Sequence, residues 1–232
     1  GTRSFDTVYE YTLQAIKWLF SKQCELIIVA CNTASAKALR SIQQNDLPHL
    51  YPTKRILGVI RPVTEQIDSI TKNHKVGLFG TTGTVKSESY KIELNKLSPR
   101  TTLFQEPCPM WVPLVENNEW NSIGADYFIE KHCKQLFNQC KEIDTVILGC
   151  THYPILAEKI WKFLPSGTRL VNQATIVANS LADYLKRHPE ITTKLNTNSH
   201  SEYFTTDCDE TFSATATLFL GNPISTTKIS LS

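Results

Sequence analysis

Two stretches of this chain set a cysteine at the same point of local structure. Leu26 to Ala36 reads LIIVACNTASA, and Val146 to Leu156 reads VILGCTHYPIL. In each, an aliphatic run gives way to a small residue (Ala30 or Gly149), then a thiol (Cys31 or Cys150), small polar residues and a helical pattern. The small residue lets the backbone turn sharply and lets a ligand come near. Asn32, Thr33 and Thr151 then supply side-chain donors beside the free N–H groups of a helix start, a setting that suits a carboxylate or a phosphate. A helix start also favours thiolate over thiol, so raised reactivity is expected of both Cys31 and Cys150.

Several thiol chemistries fail on spacing. A thiol phosphatase needs an arginine six positions after its cysteine, where this chain has Lys37 and Leu156. A Cys-His hydrolase uses one nucleophile and leaves the second elbow unexplained. Cys31, Cys150 and His152 could be drawn into a zinc site, but no close ligand pair supports one. Two equivalent thiols suit a reaction with two equivalent faces. Removing an α-proton from one side of an amino acid and returning it from the other is such a reaction, and it needs two matched acid/base groups. The turn GTTGT, Gly80 to Thr84, lacks the Gly-Lys-Ser/Thr of a phosphate loop, and its threonines can also serve as plain helix caps.

The elements that must position these residues alternate. Thr7 to Phe20 reads as a helix with Asp6 as N-cap, and Leu26 to Ala30 as a strand covered on both faces. Helix Ser35 to Gln43, strand Ile56 to Ile60 and a helix opened by Pro62 at its first position follow. Strand Val76 to Phe79, helix Ser87 to Leu97, strand Thr101 to Gln105 and the long amphipathic stretch Asn121 to Lys141 come next. The pattern closes with strand Thr145 to Leu148, helix Ile155 to Phe163, strand Arg169 to Val171, helix Thr175 to Arg187, the polar loop HPEITTKLNTNSHSE, strand Tyr203 to Thr205 and helix Glu210 to Leu220. Such alternation predicts a doubly wound α/β fold with parallel sheets, in which ligands gather beyond the carboxyl ends of the strands. Both cysteines and the GTTGT turn lie there.

Composition narrows the class. The 232 residues suffice for one large α/β domain or two of about 100 residues each. A net charge of +2, scattered along the chain, argues against a nucleic-acid surface. No run approaches the roughly 18 apolar residues of a bilayer span, and the first residues are not a signal peptide. Seven cysteines, an odd number without any Cys-x-x-Cys, fit reduced thiols in a cytoplasm. Cys133 and Cys140, seven apart on one helix, read as packing.

The motifs ACNTAS (Ala30 to Ser35) and LGCTHYP (Leu148 to Pro154) resemble those of the cofactor-independent amino-acid racemases, the aspartate/glutamate racemase family. GVIRP (Gly58 to Pro62), GTTGTVKSESY (Gly80 to Tyr90), PLVE (Pro113 to Glu116) and FLGNP (Phe219 to Pro223) extend the resemblance over nearly the whole chain. Aspartate-specific members usually carry an acidic residue where this chain has His152; that residue, with Ser35, favours the glutamate branch.

The resemblance implies two α/β lobes, residues 1–60 with 173–232 and residues 61–172, with the site in the cleft between them. It implies catalytic roles for Cys31 toward the D-isomer and Cys150 toward the L-isomer, with His152 and Glu116 assisting. It gives Gly1, Asn32, Thr33, Thr81, Thr84 and Thr151 to substrate binding, calls for no cofactor or metal, and allows a homodimer. In the family a glycine like Gly1 lies well inside the sequence, after a first strand and an Asp-Ser-Gly-x-Gly-Gly turn. The start GTRSFD therefore predicts a longer parent protein and an exposed sheet edge. Without that turn, a silent chain that binds an acidic amino acid or a partner is the alternative, beside a related aspartate racemase.

Overall fold

The aliphatic runs become parallel strands and the amphipathic stretches cover them. The computed structural model describes residues 3–196 and 200–231; Gly1 lies outside the described residues. Helix α1 (Phe5–Ser21) leads into β1 (Leu26–Val29), which ends just before Cys31. A short α2 (Asn32–Ala34) then widens into π-helical turns at Ser35–Leu39 and Ile42–Asp46 and closes as α3 (Leu47–Leu50). Strand β2 (Arg55–Gly58) pairs with β1, and α4 (Ile60–Ile70) follows.

The largest sheet has four parallel strands in the order β4 (Thr102–Pro107), β3 (Lys75–Gly80), β5 (Thr145–Gly149), β6 (Arg169–Val171). Between them run α5 (Thr82–Lys86), α6 (Ser89–Leu97), α7 (Trp111–Glu116), α8 (Ile123–Gln139) and α9 (Ala157–Phe163), the last preceded by a 3₁₀ turn at Tyr153–Leu156. Helices α10 (Gln173–Arg187) and α11 (Pro189–Thr192), then β7 (Tyr203–Thr205), α12 (Asp209–Leu220) and β8 (Thr226–Lys228), complete the chain. β7 and β8 form a third, parallel pair.

Alternation of side chains across the central sheet feeds two cores. Phe79, Val146 and Leu148 pack with Trp111, Ile129 and Leu136 on one face. Val76, Leu78 and Ile147 pack with Ile60, Val63, Ile67 and Tyr90 on the other. Register decides what emerges at the strand ends. Gly80 of β3 pairs with both Gly149 of β5 and Pro107 of β4, so Thr81, Cys150 and Cys108 leave one edge side by side.

Several local expectations are corrected. Ser4, not Asp6, caps α1, accepting the N–H of Thr7 at 3.1 Å; Asp6 lies within the first turn. Pro62 occupies the third helical position rather than the first, still within the turn whose N–H groups lack partners. The polar segment after Arg187 contains α11, and its residues 197–199 fall outside the described residues. β1 is covered on one face only: Ile27 and Val29 are buried, but Ile28 is 39% exposed. Ile28, Leu57, Gly58, Arg61 and Tyr184 line an open groove of about 800 Å³ in which neither elbow thiol takes part. Among the described residues no helix is long and apolar enough to cross a membrane.

Candidate active site

The first thiol stands at the end of a two-stranded sheet and the second at the end of the four-stranded one. Cys31 occupies the N-cap position of α2 with extended backbone (φ −71°, ψ 119°), and its residue is exposed. Cys150 follows β5 directly and is buried. The thiols are near enough for the charge of Cys31 to act on Cys150.

A cluster of hydroxyls joins the two elbows. Thr81 caps α5 by accepting the N–H of Thr84 at 3.2 Å. Its own hydroxyl lies 3.1 Å from that of Thr84 and 2.8 Å from that of Thr33, and Thr33 is 3.3 Å from Thr84. All three threonines are buried. Each hydroxyl has a rotatable hydrogen, so a carboxylate arriving here would find three donors that can turn toward it. Thr33 comes from the first sheet and Thr81 with Thr84 from the second, so such a ligand would be gripped from both.

Around Cys150 the chain builds a line of three groups. The Nδ1 of His152 lies 3.8 Å from the sulfur, and its Nε2 lies 3.3 Å from a carboxylate oxygen of Glu116. Glu116 is the last residue of α7, a helix that brings the PLVE segment to the mouth of the second elbow. Thr151 is exposed, with its hydroxyl 3.5 Å from His152 Nδ1. The expectation of ready thiolate fails at this elbow. Burial pushes the Cys150 thiol up to about 11, the nearby Cys31 adds to the rise, and hydrogen bonds from His152 and Thr151 offset only part of it. The helix start that was to lower it is a 3₁₀ turn capped by His152, two residues too late to present its N–H groups to the sulfur.

Gly149 is needed for close packing rather than for a turn. A Cβ there would lie 2.6 Å from Leu78 Cδ1 and 2.9 Å from the carbonyl oxygen of Phe79. Ser35 spends its hydroxyl on the carbonyl of Val29 at 2.8 Å, so it fastens the end of β1. Among the described residues no three His, Cys, Asp or Glu side chains are grouped so as to hold a metal ion.

Some neighbours were not singled out by the thiol motifs. Asn32 is buried and bonded to Tyr90 and Gln173, of which only Tyr90 lay inside a quoted motif. Behind Cys150, Tyr153 donates to the carbonyl of Cys108 at 3.1 Å and stacks edge-on against Trp111. Deeper still, Glu106 and His132 form a buried pair at 2.7 Å. A carboxylate and an imidazole placed in an apolar run were the available signal for that pair.

Comparison with known proteins agrees with this geometry. The family model for Asp/Glu/hydantoin racemases matches residues 3–181. The glutamate racemase of Lactiplantibacillus plantarum is 33% identical over 96% of this chain and 79% of its own length. That of Persephonella marina is 34% identical over 100% of this chain and 83% of its own. The crystal structure of glutamate racemase from Francisella tularensis in complex with D-glutamate superposes with a TM-score of 0.84 at 26% identity, covering 100% of this chain and 83% of the other. Two thiol elbows at parallel strand ends, a bridging cluster of threonine hydroxyls and these matches lead to one assignment: the chain belongs to the Asp/Glu/hydantoin racemase family.

Proposed function

We propose that the chain interconverts L- and D-glutamate by moving an α-proton between two thiols, without a cofactor. The observation that carries this reading is the approach of Cys31 and Cys150 at the ends of different sheets, with Thr33, Thr81 and Thr84 between them. Starting from D-glutamate, the Cys31 thiolate takes the α-proton and becomes a thiol. The Cys150 thiol gives its proton to the opposite face of Cα and becomes a thiolate. The bonding electrons of the broken C–H bond form the new one, so the product is L-glutamate and the reverse reaction starts from the opposite protonation pattern. A raised Cys150 suits the donor half of this exchange, because the group must hold a proton until Cα is ready for it. His152, between Cys150 and Glu116, is placed to support the charge that develops on the sulfur.

Asn32, Thr33 and Thr151 would hold the substrate's α-amino and carboxylate groups, and Thr81 with Thr84 a carboxylate. The two lobes, residues 1–60 with 173–232 and residues 61–172, would close on the substrate and dry the site, which strengthens every donor at the carbanion-like transition state. The similarity to relatives named glutamate racemase supports glutamate over aspartate. In this reading the enzyme works in the cytoplasm, as a homodimer, and supplies D-glutamate for peptidoglycan precursors. The test is exchange of the glutamate α-hydrogen in D₂O together with polarimetry. Wild-type protein should exchange and racemise, with aspartate turned over far more slowly. Undiminished racemisation after both Cys31→Ser and Cys150→Ser would overturn the two-thiol mechanism.

A further inference from the structure

The residue after the first thiol is held by a closed ring of hydrogen bonds. Gln173 Nε2 donates to the Tyr90 hydroxyl, that hydroxyl donates to Asn32 Oδ1 at 2.7 Å, and Asn32 Nδ2 donates to Gln173 Oε1 at 2.8 Å. All three side chains are buried, and burial pushes the Tyr90 hydroxyl well above its ordinary value, so it remains a donor. The members come from three places: Asn32 from the turn after β1, Tyr90 from α6, and Gln173 from the first position of α10. A core tyrosine needs only one partner for its hydroxyl, and here it has two, both side-chain amides. Each amide uses one donor and one acceptor in the ring, which leaves Asn32 one N–H and one lone pair free.

We infer that Tyr90 and Gln173 are positioning residues of the racemase site, fixing the Asn32 amide beside Cys31 so that its free N–H and lone pair meet the substrate's polar groups. The inference rests on the proposed function, in which Asn32 touches the substrate. It adds the two groups that act through Asn32 without touching the substrate. Because the ring spans the first elbow, α6 and α10, it also ties the amide's orientation to the packing of the two sheets on each other.

The experiment is steady-state racemisation by Tyr90→Phe, Gln173→Met and Asn32→Ala, each alone, and by Tyr90→Phe with Asn32→Ala together. Tyr90→Phe opens the ring at two points and should raise KM for glutamate roughly tenfold, the loss expected of one well-placed hydrogen bond, while kcat stays within about threefold. Gln173→Met keeps the Tyr90–Asn32 bond and should raise KM by a smaller factor. Adding Tyr90→Phe to Asn32→Ala should raise KM no further, since the tyrosine acts only through the amide. A purely structural tyrosine would instead lower the active fraction, and so kcat, at unchanged KM, and its effect would add to that of Asn32→Ala; either result overturns the inference. If Tyr90→Phe does not fold, the Gln173→Met and Asn32→Ala pair supplies the same cycle. Wild-type activity with unmoved KM in the ring variants sinks the positioning role alone. Wild-type protein that never exchanges the α-hydrogen sinks the reading of the site on which it rests.

Discussion

The two elbows are alike in sequence and unlike in surroundings. Cys31 is exposed, sits at the end of a two-stranded sheet, and is followed by a helix that opens into π turns. Cys150 is buried at the end of a four-stranded sheet, backed by Tyr153 and Trp111 and flanked by His152 and Glu116. A strand end therefore places a thiol, but depth and neighbours decide its charge. Burial disfavours the thiolate more than two or three hydrogen bonds favour it. The second thiol is the better proton holder and the first is the more accessible one.

Replacing either sulfur should have the largest effect. Cys31→Ser and Cys150→Ser each remove an acid/base group, which should lower kcat by about 10²–10⁴, measured by polarimetry in both directions. Equal and severe losses would mean that the elbows differ in environment but not in necessity. Loss at Cys150 alone would break the symmetry of the mechanism. Alkylation by iodoacetamide, followed by peptide mass spectrometry, tests the environments directly. Thiolate is the reactive form, so a thiol raised to about 11 should react slowly at neutral pH and speed up as pH climbs from 9.0 toward that value. Cys31 should be labelled first, and labelling of Cys150 at an equal neutral-pH rate would contradict the burial argument.

The small residue before each thiol gives a stability version of the same contrast. Gly149→Ala forces a methyl against the Phe79 carbonyl and Leu78, and overpacking of that kind costs about 1–3 kcal/mol in denaturant unfolding. Ala30, exposed beyond the end of β1, has no such constraint. Ala30→Gly should cost only about 0.5–1 kcal/mol, through chain entropy. If the two costs came out equal, the difference in packing between the elbows would not be what the glycine is for.

Much of this was legible in the sequence because strand ends are legible. Aliphatic runs set β1, β3 and β5 to within a residue or two, and the thiols and threonines follow at their ends. The burial of Cys150 was not, because it comes from helices α7 and α8 laid across the sheet, which CTHYP does not encode. Helix α7 itself was hidden by Pro113, which reads as a breaker yet is tolerated at the third helical position. The ring at Asn32 joins residues 58, 83 and 141 positions apart, beyond the reach of any local pattern. A chemical motif names the reacting atoms, and tertiary contacts decide how they are tuned.

The smallest expected effect separates tuning from chemistry at the second elbow. Glu116 meets His152 at 3.3 Å, but its side chain is 58% exposed and that of the histidine 32%, so water and salt screen the pair. Glu116→Gln keeps the shape and an acceptor while removing the charge, and kcat should fall by only about two- to fivefold. The fall should be larger from L-glutamate than from D-glutamate, because from the L side Cys150 must carry the thiolate that His152 and Glu116 stabilise. The enantiomers have equal energy, so kcat/KM must drop equally in both directions, and the asymmetry shows in kcat with KM moving to compensate. Added salt should reproduce part of the effect in the wild type and none in Glu116→Gln. A loss beyond a hundredfold would put Glu116 in contact with the reacting atoms, and a symmetric loss in kcat would detach the carboxylate from Cys150 altogether.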